Sequence, residues 1–391
     1  VYARLPAYRI VAVVLVGSAV LSIVAALQAR PQRGFALLLV APIAWLVTAI
    51  VALGVAPSLV QSLIVHPTEL QRESPFIDAN IQMTRSAFQL DRIAVQEHPI
   101  SDLTQADITN NPDTIDNIRL WDVRPLQQTY QQLQGLRSYY VFHNVDVDRY
   151  GGKQVMISAR ELDVTRLPAQ AQTWVNQHIL YTHGFGAVAS TVTGSQGQGQ
   201  PDFLLQDIPP RTTMPLLTVN RPQIYFGEQS TDWMIVGTNS PQGEFDYPQG
   251  DSNAYSRYDG HAGVKIGNYF RRLLFAWKFS DPNIVLSGYL TSNSRIIYDH
   301  TITDVVHKTA PYLQLDKDPY LVIVNGNLYW IWDAYTVSGN YPYSTAVAPG
   351  VNYMRNSVKI VIDAYNGTAT FYRMDTPEQT DPIIEAYSRL F

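Results

Sequence analysis

Apolar residues follow three different patterns along this chain. Residues 10–27, IVAVVLVGSAVLSIVAAL, are 18 uncharged positions in succession, about 27 Å as a helix at ~1.5 Å per residue. A second uncharged run extends from Gly34 to Val65 and carries Pro42 and Pro57. About 20 of its residues suffice to cross a bilayer. The pattern therefore predicts transmembrane helices over about 10–27 and 35–60, with the remainder continuing beyond the surface. Gly17 and Ser18 in the first run, with Thr48 and Gly54 in the second, are small residues that permit close helix packing. A cleaved signal peptide is the alternative for the first run. The second run behind it and the poor cleavage context of ALQAR argue against that. The short connection QARPQRG predicts an antiparallel hairpin.

From His66 to about Gln134 the period is helical. Ile77, Ile81, Thr84 and Phe88 fall on one face of a helix, and TIDNIRLWDVRPLQQTYQQLQGL is a second helical stretch interrupted at Pro125. After residue 137 the period becomes two. SYYVFHNVDVDRY and QVMISARELDV flank a turn at Gly151-Gly152, PQIYFGE and DWMIVGT read as a further pair, and Asn325-Gly326 and Asn366-Gly367 mark two more hairpins. In the last, Val358, Ile360, Ile362 and Ala364 share one face, and a two-residue turn needs positive φ at both central positions, which Gly367 accepts freely. Helices are expected at TWVNQHILYTHG, ended by Gly184, and at NYFRRLLFAWKF. The Gly- and Gln-rich stretches 193–202 and 240–263 read as exposed connections. Together these give a two-helix transmembrane hairpin over residues 1–65, followed by a β-rich α+β domain over 66–391 built from antiparallel hairpins.

Charge sharpens that division. Glu69 is the first acidic residue, and only Arg4, Arg9, Arg30 and Arg33 are charged before it. Four of the 28 basic residues thus lie in the oily front, leaving 24 against 33 acids and a net −9 on the body. A body of that sign lacks the clustered positive charge that nucleic acid requires. The arginines flanking the two spans balance, so the positive-inside rule assigns no orientation. With no cysteine, disulfides, thiolate zinc sites and cysteine nucleophiles are excluded. The 24 tyrosines and seven tryptophans, nearly all after residue 100, fit half-buried sheet surfaces.

Chemical motifs are sparse. In VNQHILYTHGFG, His178 and His183 lie five apart, about 500° of helical rotation, so they do not share a face as an i, i+4 zinc pair would. The expectation is a structural turn, with His183 packing the helix end and Gly184 and Gly186 shaping the backbone. Asp146 and Asp148, with Asp316 and Asp318, form D-x-D pairs whose carboxylates point to one strand face. These are the candidate ligands for a hard cation such as calcium, although the glycine and glutamate of an EF-hand loop are missing. Asp residues also simply mark hairpin ends. There is no G-x-S-x-G elbow, phosphate loop or dinucleotide fingerprint.

Several stretches resemble one family, the bacterial membrane proteins of uncharacterised protein family 0182. They are HPTELQRESPFIDANIQMTRSAF, NIRLWDVRPLQQTYQQLQGLRSYYVFHNVDVDRY, ELDVTRLPAQAQTWVNQHILYTHGFGAVAS, PQIYFGE, DPYLVIVNGNLYWIWDAYTVSGNYPYS and NYMRNSVKIVIDAYNGTATFY, in family order across residues 66–373. The resemblance implies a multi-pass plasma-membrane protein whose last two helices precede a large extracytoplasmic domain, and it brings no catalytic residue or cofactor. A first residue other than Met and the ending AYSRLF are read as an excerpt, incomplete at its C-terminus. The expected function is a scaffold or binding component of the cell envelope, with the lipid bilayer and other envelope proteins as partners. Hand-over of an apolar substrate is the alternative, and an exterior glycan hydrolase using carboxylates such as Asp146 or Glu228 is a third.

Overall fold

A computed structural model describes residues 4–27, 34–229, 233–374 and 381–390. They form two compact units, Val1–Arg92 with Asn340–Asn352, and Ile93–Gly339 with Tyr353–Phe391.

In the first unit the apolar runs form helices Arg4–Leu27 and Gly34–Ile50. The second continues through a π-helical turn at Val51–Val55, an α-turn Ala56–Val60 started by Pro57, another π-turn Gln61–Val65 and a 3-10 turn at His66–Thr68 into the helix Glu69–Ala87. Thr48 and Ser58 turn their hydroxyls back onto the carbonyls of Ala44 and Gly54. That satisfies them without an outside partner. Val13, Val16 and Leu27 face outward, unlike the side chains of a soluble core helix. Both helices are long and apolar enough to cross a membrane. Among the described residues, Ala7, Ala25 and Ala41 are the buried ones of these helices, whereas no atom lies within 4 Å of where a Cβ would stand on Gly17 or Gly54. Alanines, not the predicted glycines, lie at the close approaches. The QARPQRG connection falls largely outside the described residues.

The Glu69–Ala87 helix packs only part of the expected face, at Thr84 and Phe88, which are half-buried. Ile77 and Ile81 are exposed. Asn80 donates to the carbonyl of Tyr343 and accepts from the Thr345 hydroxyl, and Thr84 accepts from the Thr345 amide. The segment 340–352 offers carbonyls and hydroxyls, so the polar face turns toward it.

The second unit is built around two five-stranded antiparallel sheets that share a core. One antiparallel sheet runs in the order 146–150, 153–159, 187–196, 200–206, 211–212. The other joins 314–315, 327–338, 353–363 and 369–373, with 320–324 also paired to 327–338. Alternation decides the faces. Val155, Ile157 and Ala159 meet Leu328, Trp330, Trp332, Val358, Ile360 and Ile362 in one core, closed by Ile302 and Val306 of the helix Ile302–Thr309. Met156, Val188 and Val192 point the other way, onto Leu126 and Tyr130 of the helix Val123–Gln134.

That helix holds its proline close to its start rather than being interrupted by it. Asp122 caps it by accepting from the Arg124 amide, and Pro125 lies in the first turn, where no amide donor is needed. The Gly151-Gly152 and Asn325-Gly326 turns each place both central residues at positive φ, as read. At Asn366-Gly367 only Gly367 (φ 66°) does so, and the connection is five residues long, with the Gly367 amide donating to the Asp363 carbonyl. The expected face of Val358, Ile360, Ile362 and Ala364 is buried. PQIYFGE and DWMIVGT do not pair with each other. Strand 223–224 joins 184–185, and strand 234–236 joins 295–297, long-range pairings that local spacing does not encode. Both stretches read as loops are hairpins, 187–196 with 200–206 and 244–249 with 252–256. In the second, Glu244, Phe245 and Asp246 are buried, so its polar composition reflects an internal network.

Candidate functional site

The π-helical turn Asn176–Leu180 ends earlier than expected, and Gly184 is not its cap. Gly184 begins a two-residue strand whose backbone presses on residue 160, where a Cβ would lie 2.5 Å from the Arg160 carbonyl oxygen. Gly186, at φ 73°, lets the chain turn back into strand 187–196.

Residues 160 and 161, where strand 153–159 gives way to the short strand 161–162, take different partners. The Arg160 guanidinium is fully buried and donates to the carbonyls of Gln134 and Phe185 at 3.1 and 3.0 Å. Burial pushes its pKa down to about 10. Oε2 of Glu161 accepts from the Gln229 amide at 2.9 Å, while Oε1 has no hydrogen-bond partner. Gly227 leaves the room for it, since a Cβ there would stand 2.1 Å from Glu161 Oε2.

Glu161, Thr182, His183, Tyr225 and His300 enclose a cavity of about 20 Å³, the space of one water molecule. His183 is buried, with Nδ1 on the Gly184 carbonyl at 3.0 Å and Nε2 3.3 Å from Asp246 Oδ1. Behind it, Glu244 accepts from the Tyr225 hydroxyl at 2.5 Å, the Thr182 hydroxyl at 3.0 Å and the Tyr258 amide at 3.2 Å. These bonds offset the cost of burying the carboxylate.

His300 also lines an open cleft of about 530 Å³, with His178, Trp233, Asp281, Asp299 and Asp304. Trp233 is sandwiched between the His178 ring (3.8 Å, 6°) and Phe279 (5.1 Å, 24°). Neither indole face is open for stacking, so the aromatic group is wall rather than platform. The rim is acidic and held in place. Asp281 accepts from the Trp174 indole at 2.6 Å, Asp299 pairs with Lys308, and Asp304 accepts from the hydroxyl of Thr301, the residue that caps its helix. Fixed carboxylates beside two imidazoles favour a polar ligand bearing positive charge or several hydroxyls.

Of the four aspartates proposed for calcium, Asp146 and Asp318 meet at Asn144, while Asp148 and Asp316 take other partners. The Asn144 amide bridges Asp146 Oδ1 (3.0 Å) and Asp318 Oδ1 (2.7 Å), and the Leu321 amide donates to Asp146 Oδ2. Asp148 accepts from the Arg149 amide, and Asp316 from the Tyr335 hydroxyl and Asp318 amide. Among the described residues no three His, Asp or Glu side chains gather as a metal ion needs. Burial instead pushes Asp146 and Glu161 up to about 7. It pushes Glu228 up to about 9, with the charges of Glu161, Asp146 and Asp318 adding to the effect. Neither Asp146 nor Glu228 lines the open cleft. Sequence reasoning missed Arg160, Glu161, Glu244 and His300. The one available signal was ARELDV, charges set inside a period-two apolar run.

Apolar helices long enough to cross a membrane thus precede an antiparallel, sheet-rich domain with a buried carboxylate network. The chain belongs to the uncharacterised protein family UPF0182, whose profile matches residues 1–391. It is 46% identical over 353 residues to a UPF0182 protein of Desulforamulus reducens, covering 88% of this chain and 37% of that protein. A UPF0182 protein of Pelotomaculum thermopropionicum is 47% identical over 351 residues, 88% of this chain and 38% of that one. One from Moorella thermoacetica is 42% identical, covering 100% of this chain and 43% of its own length. The chain thus spans less than half the length of these relatives. No solved structure matches it.

Proposed function

We propose that this chain is the membrane-anchored, extracytoplasmic part of a plasma-membrane envelope protein and acts as a binding or scaffold component. The open cleft is its docking site for a polar partner. The observation that carries the reading is the cleft itself, about 530 Å³ with carboxylates fixed on its rim and two histidines in its wall. The outward-facing apolar side chains of Arg4–Leu27 support the anchor, and the family resemblance supports the side. The test is photo-crosslinking from native membranes, with benzoylphenylalanine replacing Tyr298 in the cleft or, as reference, the exposed Tyr372. A discrete adduct from position 298 alone is expected. Equal labelling from both positions, or none, removes the cleft from consideration.

A further inference from the structure

The helix Tyr269–Phe279, YFRRLLFAWKF, is amphipathic in the inverted sense. Asn268 caps its start by accepting from the Arg271 amide at 2.7 Å, and Ser280 ends it in the left-handed region (φ 54°). Phe275, Ala276 and Phe279 form the packed face, against Trp233, Ile266, Ile284 and Leu290. The opposite face carries Phe270, Leu273, Leu274 and Trp277, spaced i, i+3, i+4, i+7, the spacing by which a soluble helix faces its core. Yet Phe270 is 67% and Trp277 83% exposed. Leu286, on the short turn packed against this helix, adds to the apolar surface at 76% exposed. A stripe of this kind on a soluble body marks an interaction surface.

Its surroundings point to one occupant. The helix holds Arg271, Arg272 and Lys278 and no acid, within a body that carries a net −9. Arg272 turns to the packed side and donates to the Ile266 and Thr291 carbonyls, so the exposed Arg271 and Lys278 are the cations beside the apolar stripe. Tryptophan, phenylalanine and leucine flanked by Lys and Arg are the composition of a helix lying in a bilayer interface, where the rings enter the headgroup boundary and the cations meet lipid phosphates. An acidic body is repelled by an anionic surface, and this basic element is where that repulsion is reversed. We infer that the Phe270–Trp277 face docks onto the surface of an anionic phospholipid bilayer. The inference rests on the membrane anchoring proposed above, which brings that surface within reach.

The absence of cysteine makes the test direct. Single variants Trp277→Cys and Leu273→Cys of the full chain, in discs of phosphatidylcholine and phosphatidylglycerol, would carry a nitroxide label. Its collisions with oxygen and with a water-soluble nickel chelate are read by power saturation. Both labels are expected to favour oxygen, and Lys278→Glu should shift them toward nickel. A label that favours nickel overturns the inference. So does one shielded from both reagents, because that places protein, a second copy or another segment, over the face. Both sites are solvent-facing, so labelling either leaves the core intact. A third label at Val13→Cys separates the two readings. Nickel accessibility there sinks the membrane anchor itself, whereas lipid at Val13 without lipid at 273 and 277 sinks only the docking.

Discussion

Gly367 shows how much one hydrogen atom in place of a side chain can matter. Its φ of 66° is costly for a β-branched residue, and a Cβ would lie 2.3 Å from Phe226 Cε1. Gly367→Val therefore combines backbone strain with overpacking and should destabilise the chain by about 2–4 kcal/mol. A melting temperature equal to the parent's would remove the turn from the list of structural determinants. His183→Ala removes a buried ring and leaves the Gly184 carbonyl without its donor, a loss of about 1–3 kcal/mol in the same measurement. Glu228 predicts a pH effect. Its folded pKa, raised to about 9 by burial and by Glu161, Asp146 and Asp318, lies above the unfolded value. The unfolded chain therefore binds fewer protons between pH ~4.5 and ~9, and stability falls as pH rises through that window. In Glu228→Gln the dependence should be flatter. An unchanged slope would mean that Glu228 keeps its charge in the folded state.

At the scale of elements, the helix Val123–Gln134 is held to its sheet by one buried hydroxyl as well as by area. Tyr130 OH donates to the Met156 carbonyl at 3.0 Å and lies 2.7 Å from Ser190 Oγ. Tyr130→Phe keeps the ring but removes both contacts, leaving Ser190 only its longer bond to the Thr191 carbonyl, so it should cost about 1–2 kcal/mol, read by denaturant unfolding. Elements of this kind show what sequence can and cannot reveal. Alternation identified the 353–363 strand face and the tight turns at 151–152 and 325–326, because local stereochemistry sets both. It could not pair 223–224 with 184–185, since the partner is chosen by packing across about forty residues of chain. The hairpin 244–256 was hidden for another reason. Its buried positions are Glu244, Phe245 and Asp246, the carboxylates satisfied by Tyr225, Thr182 and Ser256, so the usual alternation of apolar and polar residues is missing. The same loss of alternation concealed Glu161, whose carboxylate occupies a core position.

For the whole molecule, topology is the outstanding prediction. The exposed tip at Gln249–Asn253 is the accessible part of the 244–256 hairpin. A membrane-impermeant protease added to intact, wall-stripped cells should cut there and release a fragment retaining the two apolar helices. Protection until lysis would put the body in the cytoplasm. The π-turns at Val51–Val55 and Gln61–Val65 impose a different constraint on the long helix. Each widens the coil to an i→i+5 step, and one residue of an α-helix corresponds to about 100° of rotation. The two turns thus act as a vernier that sets the azimuth at which Asn80 and Thr84 emerge some twenty residues later. Deleting a single residue from the α-helical stretch Ala56–Val60 between them would leave a still apolar helix, yet swing both side chains about a quarter-turn away from Tyr343 and Thr345. Length and hydropathy would survive such a deletion, while angular registration would not.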